Sequence, residues 1–152
     1  MSTPEERLAA IGLALPEVAK PVAAYVPAVR SGDHVFTAGQ LPMRSGVLMM
    51  TGKVGGEVAP EQAYECAKQC ALNGLAAVAS VVGDLSAVKR VVKVVVFVAS
   101  EADFSGQPAV ANGASELLGQ VFGDAGIHAR SAVGVSVLPL DAPVEVELVV
   151  EV

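Results

Sequence analysis

The hydrophobic positions of this chain follow two periods. In the stretch His128–Pro139, Val133, Val135 and Val137 alternate with Arg130, Ala132, Gly134 and Ser136. That two-residue period is a strand's. Val144–Val152 alternates too: Val144, Val146 and Leu148 turn inward, Glu145 and Glu147 the other way. Val88–Ala99 is too valine-rich for a comfortable helix and is apolar on both faces. Tyr25–Arg30 and His34–Gly39 flank Ser31-Gly32-Asp33, turn chemistry that predicts a hairpin. A helical period governs the rest. Pro60 opens a helix, with Glu61 at the positive end of its dipole, and Gly83-Asp84 closes it. Ala63, Ala67, Cys70, Gly74, Ala77 and Val81 form its stripe, small enough to let another element approach closely. Pro108–Phe122 is a second helix, with Val110, Ala114, Leu117, Leu118, Val121 and Phe122 on one side and Asn112 and Glu116 off it. Thr3-Pro4 caps and starts a short helix reaching about Ala14.

These elements make one domain over residues 1–152, with residues 1–20 as an N-terminal arm and the glycine-rich stretch 45–56 as a loop or hairpin arm. A strand, a long helix and another strand suggest a crossover and parallel pairing. Two helices cover one face of such a sheet. The valine-rich strand needs its second face buried as well, which points to self-association.

Composition narrows the functional classes. Hydrophobic residues make up 53% of the chain and charged residues 17%, as in a folded globular domain. The mean hydropathy of +0.54 is high, yet no apolar run approaches the ~18 residues of a membrane span. An oligomer interface is the natural place for the surplus. The net charge is −6 and the ten basic residues are scattered, which argues against nucleic acid as a partner. Met1–Arg7 carries no signal-peptide pattern, so a cytoplasmic location is expected. Cys66 and Cys70 stand four apart on a helix, poorly placed for a disulfide and too few for a metal site. They read as buried, reduced core residues. Gly52-Lys53-Val54-Gly55-Gly56 lacks the spacing of a phosphate loop.

One arginine stands out. Arg130 begins a strand whose same-side neighbours are small, and a guanidinium there could grip both oxygens of a carboxylate. A surface arginine at a strand end fits the residues equally well. His34 and His128 are general bases by type. His34, after a turn, reads as solvated. His128, two residues before Arg130, could tune binding.

Several stretches in order carry a family resemblance: Thr37-Ala38-Gly39-Gln40-Leu41-Pro42, Val94-Val95-Val96-Phe97-Val98, Ala129-Arg130-Ser131, Leu138-Pro139 and Val144-Glu145-Val146-Glu147. From about Tyr25 to the C-terminus the chain resembles the Rid/YjgF family of reactive-intermediate deaminases. His128-Ala129-Arg130-Ser131-Ala132-Val133-Gly134-Val135 suggests a branch distinct from the best-studied members. The resemblance implies an α+β, chorismate-mutase-like fold and a homotrimer with clefts between subunits. It implies hydrolysis of 2-imino and 2-enamino acids to 2-keto acids and ammonia, with no metal or organic cofactor. Arg130 matches the residue that binds the substrate carboxylate, and Glu145 the one that orders the attacking water. Tyr25, Gly39 and Asn112 match further substrate-binding positions. Ala38 stands where well-studied members have a serine, and Ala132 where many have a cysteine, so the substrate is expected to differ. A binding or regulatory trimer of the same shape is the alternative. A ribonuclease, also attached to this family, fits the acidic charge less well.

Overall fold

The computed structural model describes residues 2–18, 21 and 24–152. Helix α1 spans Pro4–Ala10 and opens on a complete capping box: the Thr3 hydroxyl accepts from the Glu6 N–H at 3.1 Å, and the Glu6 carboxylate accepts from the Thr3 N–H at 3.0 Å. It ends four residues short of the sequence expectation, because the chain turns at Gly12 with φ +78°. Of the N-terminal arm, residues 1, 19 and 20 lie outside the described residues. The rest is no loose arm. Leu8 is a core residue, and the Glu5 carboxylate accepts from the Leu85 N–H at 2.7 Å.

Strands β1 (Ala28–Ser31) and β2 (His34–Thr37) form the expected hairpin. Tyr25 is not part of it: β1 begins three residues later, and Tyr25 is exposed. A small second hairpin, β3 (Met43–Arg44) with β4 (Val47–Leu48), occupies the glycine-rich arm. Helix α2 covers Pro60–Val82 and ends at Gly83. Strand β5 (Arg90–Ala99) follows, then α3 (Gln107–Phe122), β6 (Ala129–Val135) and β7 (Val144–Glu151). The stretch read as one strand to Pro139 therefore stops at Val135. The chain then turns through a short 3-10 segment at Pro139–Asp141, with Leu140 and Asp141 both at φ +59°.

The five-stranded sheet runs β1-β2-β7-β5-β6. Within the five-stranded sheet, β5 and β6, the strands joined by α3, pair parallel. The expected pairing across α2 is absent, because β7 lies between β2 and β5, antiparallel to both. Strand β7 alternates as expected: Val144, Val146, Leu148 and Val150 are buried, and the residues between them are half-buried. In β5 the alternation breaks at Val92–Lys93, where a bulge restores Val94 to the core face.

Helices α2 and α3 pack side by side on one face of the sheet. The small residues of α2 serve this contact. Gly74 faces Leu148, where a Cβ would lie 2.8 Å from its Cδ1, and Gly113 of α3 presses on the Tyr64 carbonyl, leaving no room for a methyl. Among the described residues, no helix covers the opposite face. Val29, Phe36 and Val133 lie there, about half exposed. No helix among the described residues is long and apolar enough to cross a membrane.

Candidate active site

The structure gathers the expected site residues other than the exposed Tyr25 into two groups. The first is built on α3 and β6. Arg130 pairs in register with the buried Val94, so its side chain rises on the helix-covered face at the sheet's edge. There it lies along one stripe of α3. Nη1 donates to the Asn112 Oδ1 at 2.8 Å and to the Ser115 Oγ at 3.1 Å, and Nη2 donates to the Pro108 carbonyl at 3.4 Å. Residues 108, 112 and 115 are i, i+4 and i+7 on a helix, hence one face. His128 joins the group, its Nε2 2.9 Å from the Ser115 Oγ and its Nδ1 2.6 Å from the Gly126 carbonyl.

The floor beside Arg130 is not the open one the small residues suggested. Ala132 packs against the core. Gly134 is roofed: a Cβ there would meet the Gln107 Nε2 at 2.8 Å and the Ser100 Oγ at 3.2 Å. Gln107 is itself held by Ser100 and the Phe104 carbonyl, at 3.2 and 2.9 Å.

The second group sits on the other face. Glu145 pairs with Phe97, opposite in facing to Val94 and Arg130. Its carboxylate rests against Gly39, where a Cβ would come within 2.7 Å of Cδ and 3.0 Å of Cγ. The backbone sets up this approach. Phe36 pairs with Val149, yet Gln40 bridges to Val146, so the 37–40 segment carries one residue too many for a regular ladder. The Thr37 hydroxyl accepts from the Leu148 N–H at 3.0 Å, Ala38 donates to the Pro27 carbonyl at 2.8 Å, and Gly39 is left facing Glu145. Burial raises the Glu145 carboxyl above the usual carboxylate range, and the neighbouring Glu147 charge adds to this. A carboxyl shifted in that direction holds its proton to a higher pH than a free one and is a candidate proton-transfer group.

The segment is anchored from beneath by residues that sequence reasoning passed over. Asn73 of α2 is buried and donates to the Leu41 and Met43 carbonyls at 3.1 and 2.9 Å, while its Oδ1 accepts from Gln69 at 3.0 Å. Two amide residues four apart on an otherwise apolar helix face were the available signal. Ser115 was also missed. Its signal was a hydroxyl three residues after Asn112.

Cys66 and Cys70 are free and buried, as expected. Burial pushes the Cys66 thiol up to about 11 and Cys70 well above its ordinary range, so neither is a ready nucleophile. His34 is half-buried beside Phe36, ring centroids 6.4 Å apart, away from both groups. Among the described residues, no three or more His, Cys, Asp or Glu side chains converge as metal ligands.

A family model described as "YjgF/chorismate mutase-like, putative endoribonuclease" matches residues 5–152. The chain belongs to the YjgF/chorismate mutase-like family. The protein Atu1372 of Agrobacterium tumefaciens, of unknown function, is 44% identical; the match covers 99% of this chain and 92% of that one, with a TM-score of 0.91. A Shewanella oneidensis structure carrying the endoribonuclease description is 33% identical over 99% and 100% of the two chains, with a TM-score of 0.97. Escherichia coli TdcF, solved with bound serine, is 25% identical over 90% and 94%, with a TM-score of 0.61. The family member thus superposes far more closely on the first two than on TdcF.

Proposed function

We propose that this YjgF-family chain hydrolyses 2-imino and 2-enamino acids to 2-keto acids and ammonia, in clefts between the subunits of a homotrimer. The observation that carries the reading is the half-buried Glu145 carboxyl, of raised pKa, seated on Gly39. A trimer supplies what one chain lacks. Arg130 and Glu145 project from opposite faces of the sheet, two strands apart. That separates them by roughly 10 Å sideways and roughly 10 Å along the strands. No small acid bridges such a gap around the sheet. Apposing the α3–β6 edge of one copy to the open face of the next brings an Arg130 to a neighbouring Glu145. The same packing would bury Val29, Phe36 and Val133.

In the reaction, Arg130 and Asn112 hold the substrate carboxylate. An enamine first becomes the imine, its N–H proton moving to C3. Water adds to C2 of the imine, and Glu145 passes the proton it loses to nitrogen, which gives the carbinolamine. Glu145 then takes the carbinolamine hydroxyl proton and delivers it to the amino group, the C–N bond breaks as the C=O forms, and ammonia leaves with the 2-keto acid. Imines hydrolyse readily in water, so orientation and a placed water are the main demands on the protein. That TdcF was solved with serine fits a site for small amino-acid-like ligands. The net charge of −6 disfavours an RNA substrate.

The test is 2-keto acid release from imines generated in place by a dehydratase, across several amino-acid precursors. Acceleration abolished by Glu145→Gln supports the reading. Binding of 2-keto acids without acceleration makes the protein a binding module. Cleavage of RNA at near-physiological salt makes it a ribonuclease. A stable monomer in sedimentation equilibrium overturns the intersubunit cleft.

A further inference from the structure

The contacts of Arg130 leave a directional chain of hydrogen bonds behind it, and the chain has one consistent polarity. Arg130 can only donate, so the Ser115 Oγ accepts from Nη1. The Gly126 carbonyl can only accept, so the His128 Nδ1 carries a proton toward it. That assigns the neutral imidazole an unprotonated Nε2, which takes the hydroxyl proton of Ser115. Gly126 is a fixed end point, since its backbone is pressed against the Leu118 carbonyl with no room for a methyl. The guanidinium is thus tied through Ser115 and His128 to the backbone of the short turn that follows α3.

We propose that Ser115 and His128 are positioning residues that orient Arg130 for carboxylate recognition. Asn112 and Ser115 between them use both Nη1 protons, and the Pro108 carbonyl uses one on Nη2. Nε–H and the second Nη2–H remain, and no other acceptor among the described residues engages Nε. A side-on fork of that kind meets a planar carboxylate with two parallel hydrogen bonds. Without Ser115, the guanidinium is free to turn about its last torsions, and a two-pronged contact needs both prongs in place at once. The pair acts through Arg130 and touches no substrate. This inference rests on the carboxylate-anchor role of Arg130 proposed above.

The test compares a small 2-keto acid with its neutral carboxamide by calorimetry. Ser115→Ala, which removes a hydrogen bond to the charged guanidinium, is expected to weaken keto-acid binding roughly 10- to 150-fold, and His128→Leu, which removes a neutral one, roughly 2- to 13-fold. Carboxamide binding should stay within twofold. Ser115→Thr keeps the hydroxyl and His128→Gln keeps an acceptor, so both should recover most of the affinity. In the imine assay the loss should fall on KM with kcat unchanged. A measurement independent of any ligand is nitrogen NMR of the wild type, which should show separate Arg130 Nη1 and Nη2 signals and a protonated His128 Nδ1. Ser115→Ala should average the arginine signals. Averaged signals in the wild type, or unchanged keto-acid binding in Ser115→Ala while Arg130→Lys loses it, would overturn the positioning role alone. If Arg130→Lys also binds normally, the anchor role falls instead.

Discussion

Replacing Gly39 by alanine separates a structural glycine from one that places an acid. The added Cβ would stand 2.7 Å from the Glu145 Cδ and 3.0 Å from Cγ, well inside the ~3.5–4.0 Å of ordinary carbon contacts. The backbone at Gly39 is not in the left-handed region, so alanine adopts it without strain. Glu145 is the group that yields, since its carboxylate is the end of a flexible side chain. Forcing it off its rotamer costs about 0.5–1.5 kcal/mol. Against this, alanine restricts the unfolded chain and stabilises by about 0.4–1 kcal/mol. The two nearly cancel, so the melting temperature should move by no more than about 4 °C for a chain of this size. Turnover responds differently. If Glu145 places the water, moving its carboxylate by an ångström or more should lower kcat/KM by about 100-fold. Gly39→Ala combined with Glu145→Gln should be no worse than Glu145→Gln alone, since both remove one function. Imine turnover beside scanning calorimetry measures both quantities. Activity within threefold of wild type would refute the placement argument. A melting temperature lowered by more than about 8 °C would show that Gly39 serves the fold instead.

Asn73→Ala should destabilise the protein by about 2–4 kcal/mol, because it leaves the Leu41 and Met43 carbonyls and the Gln69 amide without their partner; denaturant unfolding with an unchanged slope checks this, and a loss under 1 kcal/mol contradicts it. Glu145→Gln should be relatively more stable than wild type at neutral pH. The native Glu145 carboxyl holds its proton more tightly than the unfolded one, so its contribution is full below about pH 4, the unfolded carboxylate range, and is lost as pH rises through the raised native value. Stability curves of the two proteins should converge in acid and separate above it; a constant gap would show that ionisation is not the cause. Replacing both Cys66 and Cys70 with alanine should leave turnover unchanged and cost stability through lost core volume; a loss of activity at full folding would give one of the thiols a role.

Much of the local structure was legible in the residue order. Pro60 and Gly83 bracket α2, Ser31-Gly32-Asp33 closes the hairpin, and the valine–glutamate alternation of β7 assigns its two faces. These features depend on side-chain direction relative to the nearby backbone, which the sequence period records directly. Arg130, Gly39 and Glu145 were singled out through motifs in order and Asn112 through the family resemblance, and the structure sets Arg130 beside Asn112 and Glu145 beside Gly39. Strand order was not legible. The last strand enters between β2 and β5 because its backbone groups pair on both sides at once, a choice made by contacts with strands far away in sequence. The same insertion puts Arg130 and Glu145 on opposite faces, which no local period foretells. Ser115 and His128 gain meaning only when α3 folds onto β6, and Gln107 closes the floor over Gly134 that small residues alone had suggested was open. Asn73 likewise reads as a polar intruder on α2 until the 41–43 carbonyls arrive to be satisfied. Periodicity records which face of an element is buried; only the tertiary fold decides which groups meet across that face.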